Sequence, residues 1–401
     1  MKPSGIEWIG DIPDDWEVRR GKYTLDLLMR PIRDNDEIIT CFRDGQVTRR
    51  SNRREDGFTF ADKEIGYQGI LKGDLVIHGM DGFAGAIGIS DSDGKGSPVL
   101  NVCRPKNGSD TRYINYYLRT LALQNVFIAL STGIRERSCD LRWKKIAELL
   151  FTIPPLKTQQ KIADYLDEKC GEIDATISKQ KESIEKLKAY KQSLISETVT
   201  KGLDKSAPLN PSGIKWLGEI PQNARIIRLR FLSSIQTGDK DTVNRVENGK
   251  YPFYVRSPIV ERIDTFSFDG EAILMAGDGV GAGKVFHYVN GKFDYHQRVY
   301  NIHNLKGVLG KFLYYYLREN FYKEIEQSNA KSTVDSIRLP MLLDFPIIVY
   351  PYDLQKEMVS FLDKKVAEID AIIIKKQNII QKLDAYKKSL IFECVTGKRL
   401  V

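Results

Sequence analysis

Pro3-Ser-Gly-Ile-Glu-Trp-Ile-Gly-Asp-Ile-Pro13 returns as Pro211-Ser-Gly-Ile-Lys-Trp-Leu-Gly-Glu-Ile-Pro221, at an offset of 208, and that return decides how the rest of the chain is read. A match of this length does not arise by chance, and a repeat overlooked miscalls the whole fold. A second anchor is Gly73-Asp-Leu-Val-Ile77 followed by Asp81-Gly82, which recurs at offset 197 as Gly270-Glu-Ala-Ile-Leu274 followed by Asp278-Gly279. Tyr116-Tyr-Leu-Arg119 recurs at offset 199 as Tyr315-Tyr-Leu-Arg318. The strongest copy begins after Pro155. There Leu166-Asp167, Glu172-Ile-Asp-Ala175, Leu187, Ala189-Tyr-Lys191, Ser193-Leu-Ile195 and Val199-Thr200 all return 196 residues later. Most of the difference in offset accumulates between the opening motif and the glycine loop, so the halves diverge there.

The repeated segments after Pro155 and Pro351 carry a heptad pattern. Leu166, Ile173, Leu187 and Leu194 form one apolar column, with Cys170, Ile177 and Ile184 in the other. The second copy places Leu362, Ile369, Leu383 and Leu390 beside Val366, Ile373 and Ile380 in the same register, with Gln180 matched to Lys376 and Lys191 to Lys387. Such columns are a coiled-coil seam. Each helix of about 43 residues spans roughly 65 Å at 1.5 Å per residue, longer than a globular unit of this size covers. The two helices are therefore expected to pack on each other. The chain divides into a globular unit over 1–153, a heptad helix over 154–203, a linker and second globular unit over 204–349, and a second heptad helix over 350–401.

Each globular unit mixes short β-branched or aromatic runs with one amphipathic helix, Tyr113 to Leu130 in the first and Lys311 to Gln327 in the second, and an α+β domain is expected. Val289-Asn290-Gly291-Lys292 reads as a type I′ turn inside a hairpin from Phe286 to Tyr300. His287 and His296 flank that hairpin as exposed polar groups. The stretch Gly277-Asp-Gly-Val-Gly-Ala-Gly-Lys284 invites a nucleotide reading, but a phosphate loop would need glycine where Asp278 stands and Ser or Thr where Val285 stands. A dinucleotide loop needs a helix next, to offer its N-terminus to the ligand. A strand follows here, as Ile87-Gly-Ile-Ser90 follows the counterpart Met80-Asp-Gly-Phe-Ala-Gly-Ala-Ile-Gly88. The glycines fit a turn that lets the backbone approach DNA or a neighbouring loop closely.

With 401 residues, 42% hydrophobic and 28% charged, the chain is a globular protein of several domains rather than a disordered one. No apolar run reaches the roughly 18 residues of a membrane span, and Met1 to Gly10 lacks a basic region followed by an apolar one. A cytoplasmic protein without membrane association is expected. The five cysteines form no CxxC pair, and the four histidines show no metal spacing, so reduced thiols and no metal are expected. No nucleophile elbow is present, and no catalytic residue is assigned. The net charge of +8 favours a polyanionic partner without requiring one.

Basic side chains concentrate in the divergent stretch. Arg43, Arg49, Arg50, Arg53 and Arg54 face one acid, Asp44, with Asn52 among them. Arginine forks pair with guanine edges or phosphates, and asparagine with adenine, so these are candidate DNA contacts. In the second half the candidates are sparser: Lys240, Arg245, Arg256, Lys284, Gln297 and Arg298.

Taken together, the paired openings, the Gly73-Asp-Leu-Val-Ile77 and Gly270-Glu-Ala-Ile-Leu274 strands before Asp-Gly loops, and the Pro155 to Gln159 and Pro351 to Gln355 entries into the heptad helices resemble one family along essentially the whole chain. It is the specificity subunit of Type I restriction-modification systems. One departure is Ala224, standing where Trp16 stands in the first copy. The resemblance implies two target recognition domains, 1–153 and 204–349, held apart by an antiparallel coiled coil with pseudo-twofold symmetry, each reading half of a bipartite site in double-stranded DNA. It implies a subunit without a catalytic centre or cofactor of its own. Two methyltransferase subunits using S-adenosylmethionine, and two restriction subunits using ATP and Mg, would be its partners. Because the recognition units repeat only in scaffold, the site is expected to be asymmetric. A coiled-coil adaptor that binds protein instead is the competing reading; it needs no basic surface and no loss of affinity with salt.

Overall fold

The structure is a computed structural model that describes residues 1–53, 65–129, 141–328 and 336–401. Arg54 and Cys139 lie outside these residues. Two compact units emerge, one of Met1–Gln180 with Gln377–Val401, the other of Lys181–Lys376. The division falls inside both long helices, Leu156–Lys201 and Tyr352–Val395, at the matched polar positions Gln180 and Lys376. Among the described residues no helix is long and apolar enough to cross a membrane.

The first unit is built on a four-stranded antiparallel sheet in the order Leu25–Leu27, Leu100–Pro105, Leu75–His78, Ile87–Ile89. A separate antiparallel pair joins Glu17–Arg20 to Leu150–Ile153. The helix Thr111–Leu123 starts where Asp110 accepts hydrogen bonds from the backbone N–H groups of Arg112 and Tyr113, which otherwise lack partners at a helix start. Its residues Tyr113, Ile114, Tyr117, Leu118 and Leu121 recur at helical spacing and are buried in the main core.

The second unit has a six-stranded sheet in the order Ser234–Thr237, Val299–His303, Phe268–Ala276, Phe286–Tyr295, Tyr251–Tyr254, Glu261–Ile263. All neighbours are antiparallel except Tyr251–Tyr254 on Phe286–Tyr295. Arg225–Arg228 pairs with Pro346–Val349 as Glu17–Arg20 pairs with Leu150–Ile153. The expected Asn290-Gly291 turn is not formed. Phe286–Tyr295 is one continuous strand in which Gly291 faces Gly270, both at positive φ (126° and 144°), and ladder pairing along Phe268–Ala276 overrides the local turn preference.

The heptad columns are the seams of the long helices. In the first unit Leu166, Cys170, Ile173 and Ile177 are buried with Leu390 and Ile391, while Ile380 and Leu383 are half-buried against them. Cys170 lies by Cys394, and Lys387 Nζ donates to Asp174 at 2.6 Å, so the paired segments run antiparallel. In the second unit Ile184, Leu362, Ile369 and Ile373 are buried, and Leu187 and Leu194 half-buried. There the ion pair is Lys191 with Asp370 at 2.5 Å, between the repeat counterparts of Lys387 and Asp174. Full burial of a leucine such as Leu166 or Leu362 contributes roughly 1.5–3 kcal/mol by transfer from water.

The glutamine that enters each long helix clasps it to its own globular unit. Buried Gln159 accepts from the backbone N–H of Asp110 (2.9 Å) and donates to the carbonyl of Pro154 (2.8 Å). Gln355 does the same with the N–H of Leu309 and the carbonyls of Tyr350 and Gly307. About two helical turns further on, Tyr116 donates its hydroxyl to Asp167, and Tyr315 to Asp363, both at 2.7 Å. These contacts account for the repeated Pro, Gln, Leu-Asp and Tyr-Tyr-Leu-Arg signatures as attachments of helix to domain.

Candidate nucleic-acid interface

In the first unit the strand Ile39–Cys41 delivers Phe42 and Arg43 to the rim of a cleft of about 770 Å³, which Arg50, Arg53, His78 and Asp81 also line. Arg43 projects with its side chain 67% exposed and donates from Nη2 to Asp81 Oδ1 at 2.8 Å. Arg53 pairs with Asp44 at 2.7 Å and lies 4.2 Å above the centre of the Phe42 ring. Burial raises the Asp44 carboxyl, but hydrogen bonds from Arg53 and the Gln46 backbone outweigh it and hold the group below its ordinary value. Arg49 pairs with Glu37 at 2.8 Å, Arg50 Nε reaches Thr40 Oγ1 at 3.4 Å, and Asn52 donates to Thr48 Oγ1 at 2.9 Å. Arg43, Arg50 and Arg53 thus share one cleft, whereas the recorded contacts of Arg49 and Asn52 are to Glu37 and Thr48.

The loop that carries Asp81 is held from behind by residues that sequence reasoning missed. His78 Nδ1 accepts from the backbone N–H groups of Met80 and Asp81, at 3.2 and 2.9 Å. Arg119, the last residue of the Tyr-Tyr-Leu-Arg motif, donates to the carbonyls of Gly85 and Ile87 at 3.0 and 3.1 Å. Burial, with the positive charge of Arg43 adding to it, holds the His78 imidazole below its ordinary value despite Asp81, which suits an acceptor nitrogen. Burial pushes the Cys41 thiol in the same cleft up to about 12, so it stays protonated and unreactive at neutral pH.

In the second unit Arg256, just beyond the strand Tyr251–Tyr254, donates to Asp278 Oδ1 at 3.1 Å, and Arg298 Nε lies 3.7 Å from Asp278 Oδ2. Gln297 donates to Asp241 Oδ2 at 2.9 Å, and its backbone N–H donates to the carbonyl of Lys240. Lys240, Arg256, Gln297 and Arg298 are brought together around Asp241 and Asp278. Arg245 is paired elsewhere, with Glu261 at 3.6 Å, and Lys284 sits 4.3 Å above the Tyr322 ring. His296 is not the exposed group expected from its place beside a hairpin. It is 2% exposed, accepts from the Arg298 N–H through Nδ1, and turns Nε2 toward Asp241 at 3.8 Å, because the chain folds back there between two ladder strands. His287 is half-buried on the Tyr254 ring, 5.0 Å between centroids.

The glycine loops follow strands and lead into strands, as expected. One glycine in each loop packs closely on the backbone of an arginine. A Cβ at Gly85 would stand 2.5 Å from the carbonyl oxygen of Arg43, and one at Gly281 the same distance from that of Arg256. At these two glycines the neighbouring arginine backbone leaves no room for a side chain. Among the described residues no group of three or more His, Cys, Asp or Glu is placed to hold a metal ion.

A family model for the Type I restriction modification DNA specificity domain matches residues 51–188 and again 226–383. The EcoDI specificity subunit of a type I restriction enzyme from Escherichia coli is 27% identical over 181 residues, 45% of this chain and 40% of that protein. A putative MjaX specificity subunit from Methanocaldococcus jannaschii is 25% identical over 237 residues, 55% of this chain and 53% of that protein. The chain thus spans about half the length of these curated relatives. A chain from the structure of type I R-M system complex assembly and conformational transition superposes with a TM-score of 0.74 at 14% identity, covering 97% of this chain and all of that one. The HsdS subunit of Thermoanaerobacter tengcongensis gives 0.53 at 14% identity, over 97% and 98% of the two chains. With the family model matching twice and across more than half of its length, the chain belongs to the type I restriction-modification DNA specificity family.

Proposed function

We propose that this chain is the non-catalytic, DNA-reading subunit of a type I restriction-modification complex in the cytoplasm, and that each compact unit reads one half of an asymmetric bipartite site. The observation that carries the proposal is the repeated placement of exposed arginine beside an Asp-Gly loop: Arg43 at Asp81 in the first unit, Arg256 and Arg298 at Asp278 in the second. Guanidinium groups offer paired donors suited to guanine O6 and N7 or to phosphate oxygens. Arg50, Arg53, Lys240 and Gln297 widen the two surfaces, with Arg49, Asn52, Arg245 and Lys284 as outlying contacts, and Arg54 is a candidate from its sequence alone. The surfaces differ in residue type and number, which supports two different half-sites.

Methylation and cleavage fall to partners in this reading. Two methyltransferase subunits bring S-adenosylmethionine and act on an adenine in each half-site, and two restriction subunits bring ATP and Mg. In each glycine loop one glycine, Gly85 or Gly281, packs against an arginine carbonyl, which supports a turn that positions the arginine rather than a nucleotide loop. A gel-shift series of the full chain on duplex DNA against salt tests the reading. Affinity should fall steeply, with a log-log slope of about −0.9 for each phosphate neutralised. Binding that is absent, or indifferent to salt, would sink it and favour a protein adaptor.

A further inference from the structure

We infer that Asp81 and Asp278 are positioning residues for base reading: each glycine loop grips one arginine at two points and aims its fork, and the carboxylate suppresses indiscriminate phosphate contacts. The inference rests on the DNA-reading proposal above and adds the residues that set its specificity.

Two independent features coincide in both units. The first is the ion pair, Arg43 with Asp81 at 2.8 Å and Arg256 with Asp278 at 3.1 Å. The second is the close approach of a loop glycine to the carbonyl oxygen of the same arginine, Gly85 to Arg43 and Gly281 to Arg256. Each arginine is the second residue past the end of its strand, Ile39–Cys41 or Tyr251–Tyr254. One loop therefore pairs with the side chain of the arginine and packs against its backbone. The loops themselves are anchored alike: Gly79 and Gly277 donate their N–H to the carbonyls of Val99 and Arg298, and their own carbonyls accept from Leu141 and Ile337. Within two residues of each aspartate stands an exposed apolar residue, Met80 or Val280, which marks these loops as projecting into solvent.

Stability does not account for the pairs. Ion pairs as exposed as Arg43 with Asp81 contribute little to folding. On a surface that meets DNA, a carboxylate also repels phosphate and so costs affinity. What it supplies is direction. A guanidinium tied through one nitrogen presents its remaining donors in a fixed plane, so less rotamer freedom is lost on binding and a wrongly placed partner is not followed. In the second unit Arg298 joins the same carboxylate through Nε, which doubles the arrangement. The Asp-Gly signature, which recurs just beyond the stretch where the halves diverge, is thereby explained.

The test uses the full chain co-expressed with its methyltransferase partners, with methylated adenines mapped in the cell and thermal unfolding measured on the purified protein. Asp81→Asn should relax base preference in one half-site by about tenfold, the discrimination expected of one arginine fork. Asp278→Asn should relax the other half only. Both variants should bind non-cognate duplex more tightly than the parent and unfold at the parent temperature. A second comparison holds even if one substitution weakens folding: Asp81→Asn added to Arg43→Ala should change base preference no further, because the aspartate acts through the arginine. Preference unchanged within twofold in both asparagine variants, or an effect of Asp81→Asn that persists without Arg43, would overturn the inference. A parent chain that shows no base preference at all would instead defeat the DNA-reading proposal on which it rests.

Discussion

The clasp at each helix entry and the loop at each reading surface are both repeated, yet they repeat differently. Gln159 and Gln355 are the same residue making the same kinds of hydrogen bonds, and Asp167 and Asp363 receive Tyr116 and Tyr315 at the same distance. At the reading surfaces the aspartate, the glycines and one arginine recur, while the residues around them do not. The first unit surrounds Asp81 with an arginine cluster balanced by Asp44 and Glu37, whereas the second gathers two arginines on Asp278 and a glutamine on Asp241. Attachment of helix to domain is a common need and keeps its side chains. Under the proposed function, reading two different half-sites is not, and there the scaffold is kept while the contacts change.

The largest effects should come from breaking what the units share. Leu166→Ala and Leu362→Ala each empty a fully buried seam position and should cost about 2–5 kcal/mol, measured by chemical denaturation. A loss under 1 kcal/mol at either site would mean that the seam is not packed as described. Replacing Gln159 or Gln355 by leucine comes next. Each change strands buried backbone groups at roughly 1–3 kcal/mol apiece, and amide exchange should quicken first at the start of Thr111–Leu123 or of Gly310–Ser328 respectively. Equal loosening in both units after one substitution would contradict the clasp.

Smaller effects separate the reading surfaces. The His78 imidazole is held below its ordinary value of 6.5, so it stabilises the first loop above that pH, and the contribution is lost as pH falls through 6.5 toward the lower folded value. Protection of the Met80 and Asp81 amides should therefore drop on acidification, and His78→Asn should remove that dependence. Protection indifferent to pH in the parent would show that the imidazole does not hold the loop. The smallest change expected is at the matched ion pairs Lys387 with Asp174 and Lys191 with Asp370, where an alanine at either lysine should cost about 0–1 kcal/mol and less at high salt.

How far these features could be read in advance follows from their range along the chain. The helices were legible because a heptad repeats locally and twice, and Leu166, Ile173, Leu362 and Ile369 are buried as the columns require. The strand on either side of each glycine loop was legible for the same reason. The Asn290-Gly291 turn misled because a strong local turn signal lies opposite Gly270, a partner that sequence spacing does not reveal. His296 misled because its burial depends on Asp241 and Arg298, brought to it by the fold. Among the site residues, arginine enrichment exposed Arg43 and Arg53, and the Asp-Gly repeat exposed Asp81 and Asp278. That the two signals belong to one pair required the strand ends to be set beside the loops.

The most direct test of two units reading two different half-sites is to map methylated adenines in cells carrying Arg43→Ala or Arg256→Ala. Arg43→Ala should degrade base choice in one half of the site and leave the other intact, and Arg256→Ala should do the reverse. If either substitution altered both halves, or if neither changed the bases read, the account would be contradicted.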